Sequence, residues 1–75
     1  MSDYELNARR LLCPLPVIRT QDRIKDLSPG DELRVICTDP GVVNDIPAWC
    51  RVHGHEVVSV ETIEREYVVT VRVGE

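Results

Sequence analysis

The sequence has no phenylalanine, one tryptophan and two tyrosines, so aliphatic side chains must form most of the hydrophobic core. It also lacks an apolar run near the roughly 20 residues that a membrane-spanning helix requires. The N-terminal segment M-S-D-Y-E contains no basic stretch followed by an apolar one, which is the usual pattern of a secretory signal. We therefore expect a cytoplasmic protein that does not bind a membrane.

Basic residues are in the minority, with 9 Lys and Arg against 13 Asp and Glu and a formal net charge of −4. Phosphate contacts need a basic surface, so direct nucleic-acid binding is not expected. The basic residues are concentrated in the first 25 positions, where they outnumber the acidic ones. This local positive charge would suit acidic protein partners and would favour a thiolate.

The cysteines are three in number, at positions 13, 37 and 50, and no two of them form a C-x-x-C pair. An odd number with this spacing argues against a secreted domain held by disulfides. The total length of 75 residues is enough for one domain and too short for two, so we expect a single domain over residues 1–75.

The first half of the chain predicts a strand, a helix and a second strand. Alternating apolar residues from Tyr4 to Ala8 indicate the first strand. Apolar residues from Val17 to Leu27 then recur at helical spacing, and Ser28-Pro29-Gly30-Asp31 should end that helix. The segment D-E-L-R-V-I-C-T indicates the second strand.

The second half predicts another helix and a hairpin. Asp39 could cap a helix whose apolar face includes Val43, Ile46, Cys50 and His53. Within it, Pro47 should either kink the helix or begin its last two turns, with a boundary at residue 45 or 46.

Gly54 is a plausible stop for this second helix. Two strands follow, over residues 57–63 and 67–73, with a turn around Glu64-Arg65-Glu66 that contains no glycine. The predicted order is βαβαββ. We expect an α/β (α+β) two-layer sandwich, in which a mixed four-stranded sheet carries both helices on one face.

The segment C-P-L-P at residues 13–16 is the most distinctive motif. Proline is favoured at the first position of a helix, so taking Pro14 as that position places Cys13 at the N-cap and Pro16 in a stiff first turn. A thiol at a helix N-terminus ionises more readily than usual, and Arg9 or Arg10 could strengthen the effect or help a partner to dock. The alternative is a small buried residue before an ordinary helix start.

The chain contains the segments L-N-A-R-R-L-L-C-P-L-P, L-S-P-G-D-E-L and T-D-P-G-V-V-N-D-I-P-A-W-C. Together they resemble the TusA/SirA family of small sulfur carriers, whose hallmark is C-P-x-P. The resemblance covers the chain from Leu6 to the last strand and agrees with the predicted fold. Two positions depart from the family pattern. Asn7 stands where aspartate is usual, which would remove a hydrogen-bond anchor, and Arg10 stands where glycine is usual, so it must adopt that glycine's backbone conformation.

The resemblance implies that Cys13 accepts a sulfane sulfur as a persulfide and passes it to another protein. The implied partners are a sulfur donor, such as a cysteine desulfurase or a rhodanese-like protein, and a protein acceptor. Family members serve tRNA thiolation, molybdenum-cofactor maturation or sulfur oxidation. This would be sulfurtransferase chemistry without small-molecule turnover by the chain alone, and we expect a monomer.

Other residues offer alternative functions. Cys37 and Cys50 are predicted to lie in the core, although Cys50 could act as a resolving thiol in a redox protein. The C-x-x-H-x-H spacing of Cys50, His53 and His55 lacks a fourth zinc ligand, so neither a metal nor another cofactor is expected. A binding or regulatory module that does not use Cys13 is the third possibility.

Overall fold

The computed structural model describes residues 2–74. The predicted order βαβαββ is confirmed. Its elements are β1 (Asp3–Ala8), α1 (Leu15–Ile24), β2 (Glu32–Cys37), α2 (Val42–His53), β3 (Glu56–Ile63) and β4 (Glu66–Arg72).

The four strands form one mixed sheet in the order β1-β2-β4-β3. β1 and β2 are parallel, and their register pairs Ala8 with Cys37 at the end of both strands. β4 is antiparallel to β2 and to β3. Because parallel strands end at the same edge of a sheet, the loops that follow β1 and β2 lie side by side.

Both helices contribute to a single core against the sheet, as predicted for two layers. Val42, Ile46 and Cys50 of α2 are fully buried, and they belong to the same cluster as Leu33 and Val35 of β2. The alternation in β2 leaves Arg34 exposed on the other face. Aliphatic packing therefore supplies the core, as the scarcity of aromatic residues indicated.

α1 is shorter than the sequence predicted. It ends at Ile24, and the N–H groups of Asp26 and Leu27 bond to carbonyls only three residues earlier. Leu27 packs against the core from this tighter turn. Ile18 belongs to the predicted apolar face but is 44% exposed, because the buried face is formed by Pro16, Thr20 and Ile24.

Pro47 lies inside one continuous helix, so the alternative that placed a helix boundary at residue 45 or 46 is wrong. Gly54 does end the helix, with φ of 80° and its N–H bonded to the Cys50 carbonyl. His53 is the last helical residue, but it is exposed, so its expected place on the buried face is wrong.

The hairpin between β3 and β4 turns through Glu64 and Arg65, and Ile63 pairs with Glu66. Glu64 has φ of 58°, so a non-glycine residue accepts the left-handed conformation there. A register shift between Val57 and Ser59 interrupts the pairing of β3 with β4.

Neither helix within residues 2–74 has both the length and the apolar character required to span a bilayer.

Candidate functional site

Cys13 lies on an exposed loop between β1 and α1. The peptide bond from Cys13 to Pro14 is cis. Pro14 is the N-cap of α1, and Leu15, the first helical residue, donates to the Leu12 carbonyl at 2.9 Å. The predicted N-cap was therefore wrong by one residue, because Cys13 precedes the cap and Pro16 is the second helical residue.

The loop after β2 meets Cys13 because β1 and β2 end together. The backbone N–H of Cys13 donates to Asp39 Oδ2 at 2.9 Å. The other oxygen of this carboxylate, Oδ1, accepts from the N–H of Gly41 at 3.0 Å. Asp39 thus holds the two loops together and does not cap the helical turn as predicted, since Gly41 is the N-cap of α2.

The Cys13 side chain points towards the start of α2. Its Sγ donates to Oδ2 of Asp45, in the first turn of α2, at 2.9 Å. A Cβ placed on Gly41 would lie 3.3 Å from the same sulfur, so the absence of a side chain at Gly41 leaves room for the thiol. The starts of both helices therefore converge on Cys13.

The electrostatics of Cys13 are opposite to the prediction. Hydrogen bonding to Asp45, then to Asp39, raises the pKa of the Cys13 thiol to about 12, and partial desolvation and the negative charges act in the same direction. A helix N-terminus supplies only about half of a positive charge, whereas these carboxylates act at hydrogen-bond range. The sequence predicted easier ionisation of Cys13, whereas its surroundings raise the pKa of the thiol.

Arg9 forms an ion pair with Glu66 at the start of β4. Arg9 Nε donates to Glu66 Oε2, and Nη2 donates to Oε1 at 3.1 Å. This pair lowers the pKa of Glu66, chiefly through the hydrogen bond. Within residues 2–74, the Arg9 side chain is therefore paired with Glu66 of β4, and stabilisation of a Cys13 thiolate by Arg9 is not observed.

Arg10 adopts φ of 66°, the left-handed conformation expected at a position where the family usually has glycine. Its N–H donates to Thr38 Oγ1 at 2.8 Å, so its backbone helps to join the two loops. Asn7 Oδ1 accepts from the Arg9 N–H at 3.1 Å. The predicted loss of a hydrogen-bond anchor at Asn7 is therefore wrong, since the amide oxygen supplies one.

Replacing Arg10 by glycine is expected to stabilise the protein by about 0.5 to 1 kcal/mol. A non-glycine residue in the left-handed region costs roughly 1–2 kcal/mol, and the extra chain entropy of glycine offsets about half of that gain. Urea unfolding followed by circular dichroism measures the change. Arg10→Ala keeps the backbone strain and is the matched control, so equal stability of the two variants would contradict this account.

The other sulfur groups are inaccessible. Cys37 and Cys50 are fully buried, as predicted for core residues. Desolvation raises the pKa of each thiol to about 11. All three cysteines are free thiols, and the burial of Cys50 gives no support to a resolving role.

The histidines pack against Trp49 instead of joining Cys50. The ring centroid of Trp49 lies 4.7 Å from that of His53 and 5.2 Å from that of His55. His55 Nδ1 accepts from the Gly74 N–H at 2.9 Å. Across the described part of the chain, no three His, Cys, Asp or Glu side chains converge as metal ligands would.

Sequence reasoning missed Asp45, and it assigned Asp39 only a capping role. The segment T-D-P-G-V-V-N-D contains both carboxylates and Gly41. Its position after the parallel partner of β1 was the available signal, because that topology brings it to the loop that holds Cys13.

Comparison with known proteins matches residues 4–73 to the family model described as "Sulfurtransferase TusA". The chain is 40% identical over 70 residues to "Sulfur carrier protein TusA" of Pseudomonas syringae pv. syringae, covering 93% of this chain and 83% of that protein. "Putative sulfur carrier protein YrkF" of Bacillus subtilis is 41% identical over 56 residues, which is 75% of this chain but 30% of that protein.

Among solved structures, a SirA-like protein from Desulfitobacterium hafniense superposes with a TM-score of 0.82. The superposition covers 96% of this chain and 99% of the other at 22% identity. The likeness supports the fold described above.

Proposed function

This chain belongs to the TusA family of sulfurtransferases, and from that premise we propose that it is a sulfur carrier whose Cys13 holds a sulfane sulfur as a persulfide. The observation that carries the proposal is the exposure of Cys13 on the C-P-L-P turn, while Cys37 and Cys50 are buried. A sulfur passed between proteins must be reachable from outside, and of the three cysteines Cys13 meets that requirement.

The turn around Cys13 is suited to presenting a sulfur. Pro14 and Pro16 each fix φ and carry no N–H, which restricts the backbone next to the thiol. On the other side, the Cys13 N–H is held by Asp39. Fixing the sulfur in this way lowers the entropic cost of aligning it with an incoming persulfide.

The surroundings of Cys13 favour a protein as the sulfur donor and acceptor. Three apolar side chains next to it in sequence are exposed, Leu12 at 71%, Leu15 at 42% and Ile18 at 44%. Two concavities in the described part of the chain lie on the open face of the sheet, and Cys13 lines neither. We infer that each partner covers the thiol with its own surface and completes the reaction site.

The donor would be a protein persulfide, as on a cysteine desulfurase or a rhodanese-like protein, and the acceptor a protein thiol. tRNA thiolation, molybdenum-cofactor maturation and sulfur oxidation are the candidate destinations. We expect a monomer in the cytoplasm, because the carrier must dock with its partners in turn and Cys13 must stay reduced between transfers.

Intact-mass spectrometry after incubation with a cysteine desulfurase and cysteine tests the proposal. The wild-type protein should gain about 32 Da, one sulfur, and reductant should remove it, because an acceptor thiol attacks the outer sulfur and Cys13 leaves. Cys13→Ser should keep the fold and gain nothing. Wild-type protein alkylated at its exposed thiol is a second control with an unchanged sequence.

The proposal would be overturned if Cys13→Ser gained a sulfur that reductant removes. It would also be overturned if wild type gained no mass with either a desulfurase or a rhodanese with thiosulfate. The redox alternative predicts instead that mild oxidation removes two thiols together. The burial of Cys37 and Cys50 gives that alternative no accessible second thiol.

A further inference from the structure

The carboxylate of Asp45 contacts the sulfur that would carry the cargo. Its Oδ2 lies 2.9 Å from Cys13 Sγ and accepts the thiol hydrogen. Within residues 2–74, this is the one side-chain hydrogen bond that Asp45 makes. Because Asp45 lies in the first turn of α2 and the next residue, Ile46, is fully buried, the carboxylate is held on a packed element.

Asp39 is placed differently, although it is also close. Its two oxygens accept the backbone N–H groups of Cys13 and Gly41, so both already hold the loops together, although Asp39 also contributes to the raised pKa of the Cys13 thiol. The groups that act electrostatically on the thiol are these two aspartates. Arg9 is paired with Glu66 of β4. Asp45 is therefore the side chain placed to exchange a proton with the sulfur.

A proton acceptor is needed here because only a thiolate attacks a persulfide. The carboxylates keep the resting thiol protonated, so free thiolate is scarce at neutral pH. A carboxylate at hydrogen-bond distance can remove the proton as the new bond forms, which is the requirement for a general base.

We propose, on the premise that Cys13 is a sulfur carrier, that Asp45 is a catalytic residue which takes the Cys13 proton during loading and donates a proton to Sγ during release. In loading, the thiol proton passes to Asp45 and Sγ attacks the outer sulfur of the donor persulfide. The donor's sulfur–sulfur bond breaks and its inner sulfur leaves as a thiolate. The products are Cys13–S–SH, the donor thiolate and a protonated Asp45, so atoms and charge balance without an oxidant.

Release is the same step in reverse with a different thiol. An acceptor thiolate attacks the outer sulfur of Cys13–S–SH, and the bond between that sulfur and Sγ breaks. Protonated Asp45 gives its proton to Sγ as it leaves, which regenerates the resting thiol and the carboxylate. A basic thiolate is a poor leaving group, and protonation by Asp45 removes that disadvantage.

The test compares single-turnover loading of wild type and Asp45→Asn by a small-molecule persulfide, glutathione persulfide, using quenched flow and mass detection. Because both proteins receive the same donor, dividing the rate of Asp45→Asn by that of wild type at each pH removes the effect of the donor's own ionisation. For wild type, the contribution of Cys13 to the rate should be constant between about pH 6 and pH 9, because the thiol stays protonated and loses its proton within the reaction itself. The loading rate of Asp45→Asn should follow the fraction of Cys13 that is thiolate. Its ratio to the wild-type rate should therefore rise about tenfold for each pH unit.

At about pH 6, Asp45→Asn should therefore be at least about tenfold slower than wild type, and the difference should disappear or reverse near pH 9. Wild type should show a normal solvent isotope effect that the variant lacks. Asp45→Glu keeps a carboxylate and should retain part of the pH-independent rate. Asp26→Asn, an exposed aspartate beyond the other end of α1, removes the same charge and should match wild type.

Parallel pH profiles for wild type and Asp45→Asn would overturn the role of Asp45 while leaving the carrier function in place. If wild type accepts no sulfur at all, the carrier function itself fails. The two results are distinguished by whether Cys13 of the wild-type protein gains about 32 Da, the mass of one sulfur.

Discussion

The Cβ resonance of Cys13 should remain unchanged up to about pH 10, because its thiol is expected to titrate near a pKa of about 12. The hydrogen bond to Asp45 is the main cause, followed by the one to Asp39. Relative to the ordinary thiol value of 9.0, such a shift lowers the thiolate fraction at neutral pH about a thousandfold. NMR of protein labelled with ¹³C at cysteine Cβ measures this residue separately from the buried thiols.

Removing either carboxylate should lower the pKa of Cys13, and the size of the decrease should differ between Asp45 and Asp39. Asp45→Asn is expected to lower it more than Asp39→Asn, because the Asp45 hydrogen bond is the larger cause. Asp26→Asn should leave the titration unchanged and controls for the net charge. A wild-type midpoint at or below about 9, near the ordinary range for cysteine, would show that the carboxylates do not stabilise the neutral thiol.

The raised pKa gives the free carrier a chemical advantage. Oxidation and alkylation of cysteine follow its thiolate character and exposure. Cys13 is exposed, so protonation would be its main protection between the sulfur transfers proposed above. Activation would then occur where a persulfide is aligned with Sγ and Asp45 can accept the proton.

The sequence was sufficient to predict the order of elements because the apolar periodicity is local and strong. The alternation in β2 and the three- and four-residue spacings of Val43, Ile46 and Cys50 in α2 illustrate this. A helix boundary before Pro47 was one of the two predicted alternatives, because proline disfavours a helix interior locally. The packing of Ile46 and Cys50 on either side of it maintains the helix, and that stabilisation depends on contacts distant in sequence.

The place of Cys13 just before α1 could be inferred from C-P-L-P, but the raised pKa of its thiol could not. Local reasoning considered the helix that Cys13 precedes and the neighbouring arginines. The dominant groups, Asp39 and Asp45, are 26 and 32 residues away along the chain, and they reach the thiol only because β1 and β2 are parallel. Arg9 likewise pairs with a residue distant in sequence, Glu66 of β4, which is 57 residues away along the chain.

Ile46→Ala should lower the free energy of unfolding by about 2–5 kcal/mol, since truncating a fully buried isoleucine loses transfer free energy and leaves a cavity. Ile46 is 0% exposed and packs in the core cluster. At roughly 0.05–0.15 kcal/mol per residue, this loss is a large fraction of the stability of so short a chain. Urea unfolding followed by circular dichroism measures it.

Ile18→Ala is the matched control, because it makes the same chemical change on α1 at a side chain that is 44% exposed. Its expected cost is below about 1 kcal/mol, since less apolar area is lost and alanine has the higher helix propensity. Ile46→Val should fall between them at about 0.5–1.5 kcal/mol. Equal losses for Ile46→Ala and Ile18→Ala would mean that α2 is not anchored through Ile46, and the fixed placement of the adjacent Asp45 beside Cys13 would lose its physical basis.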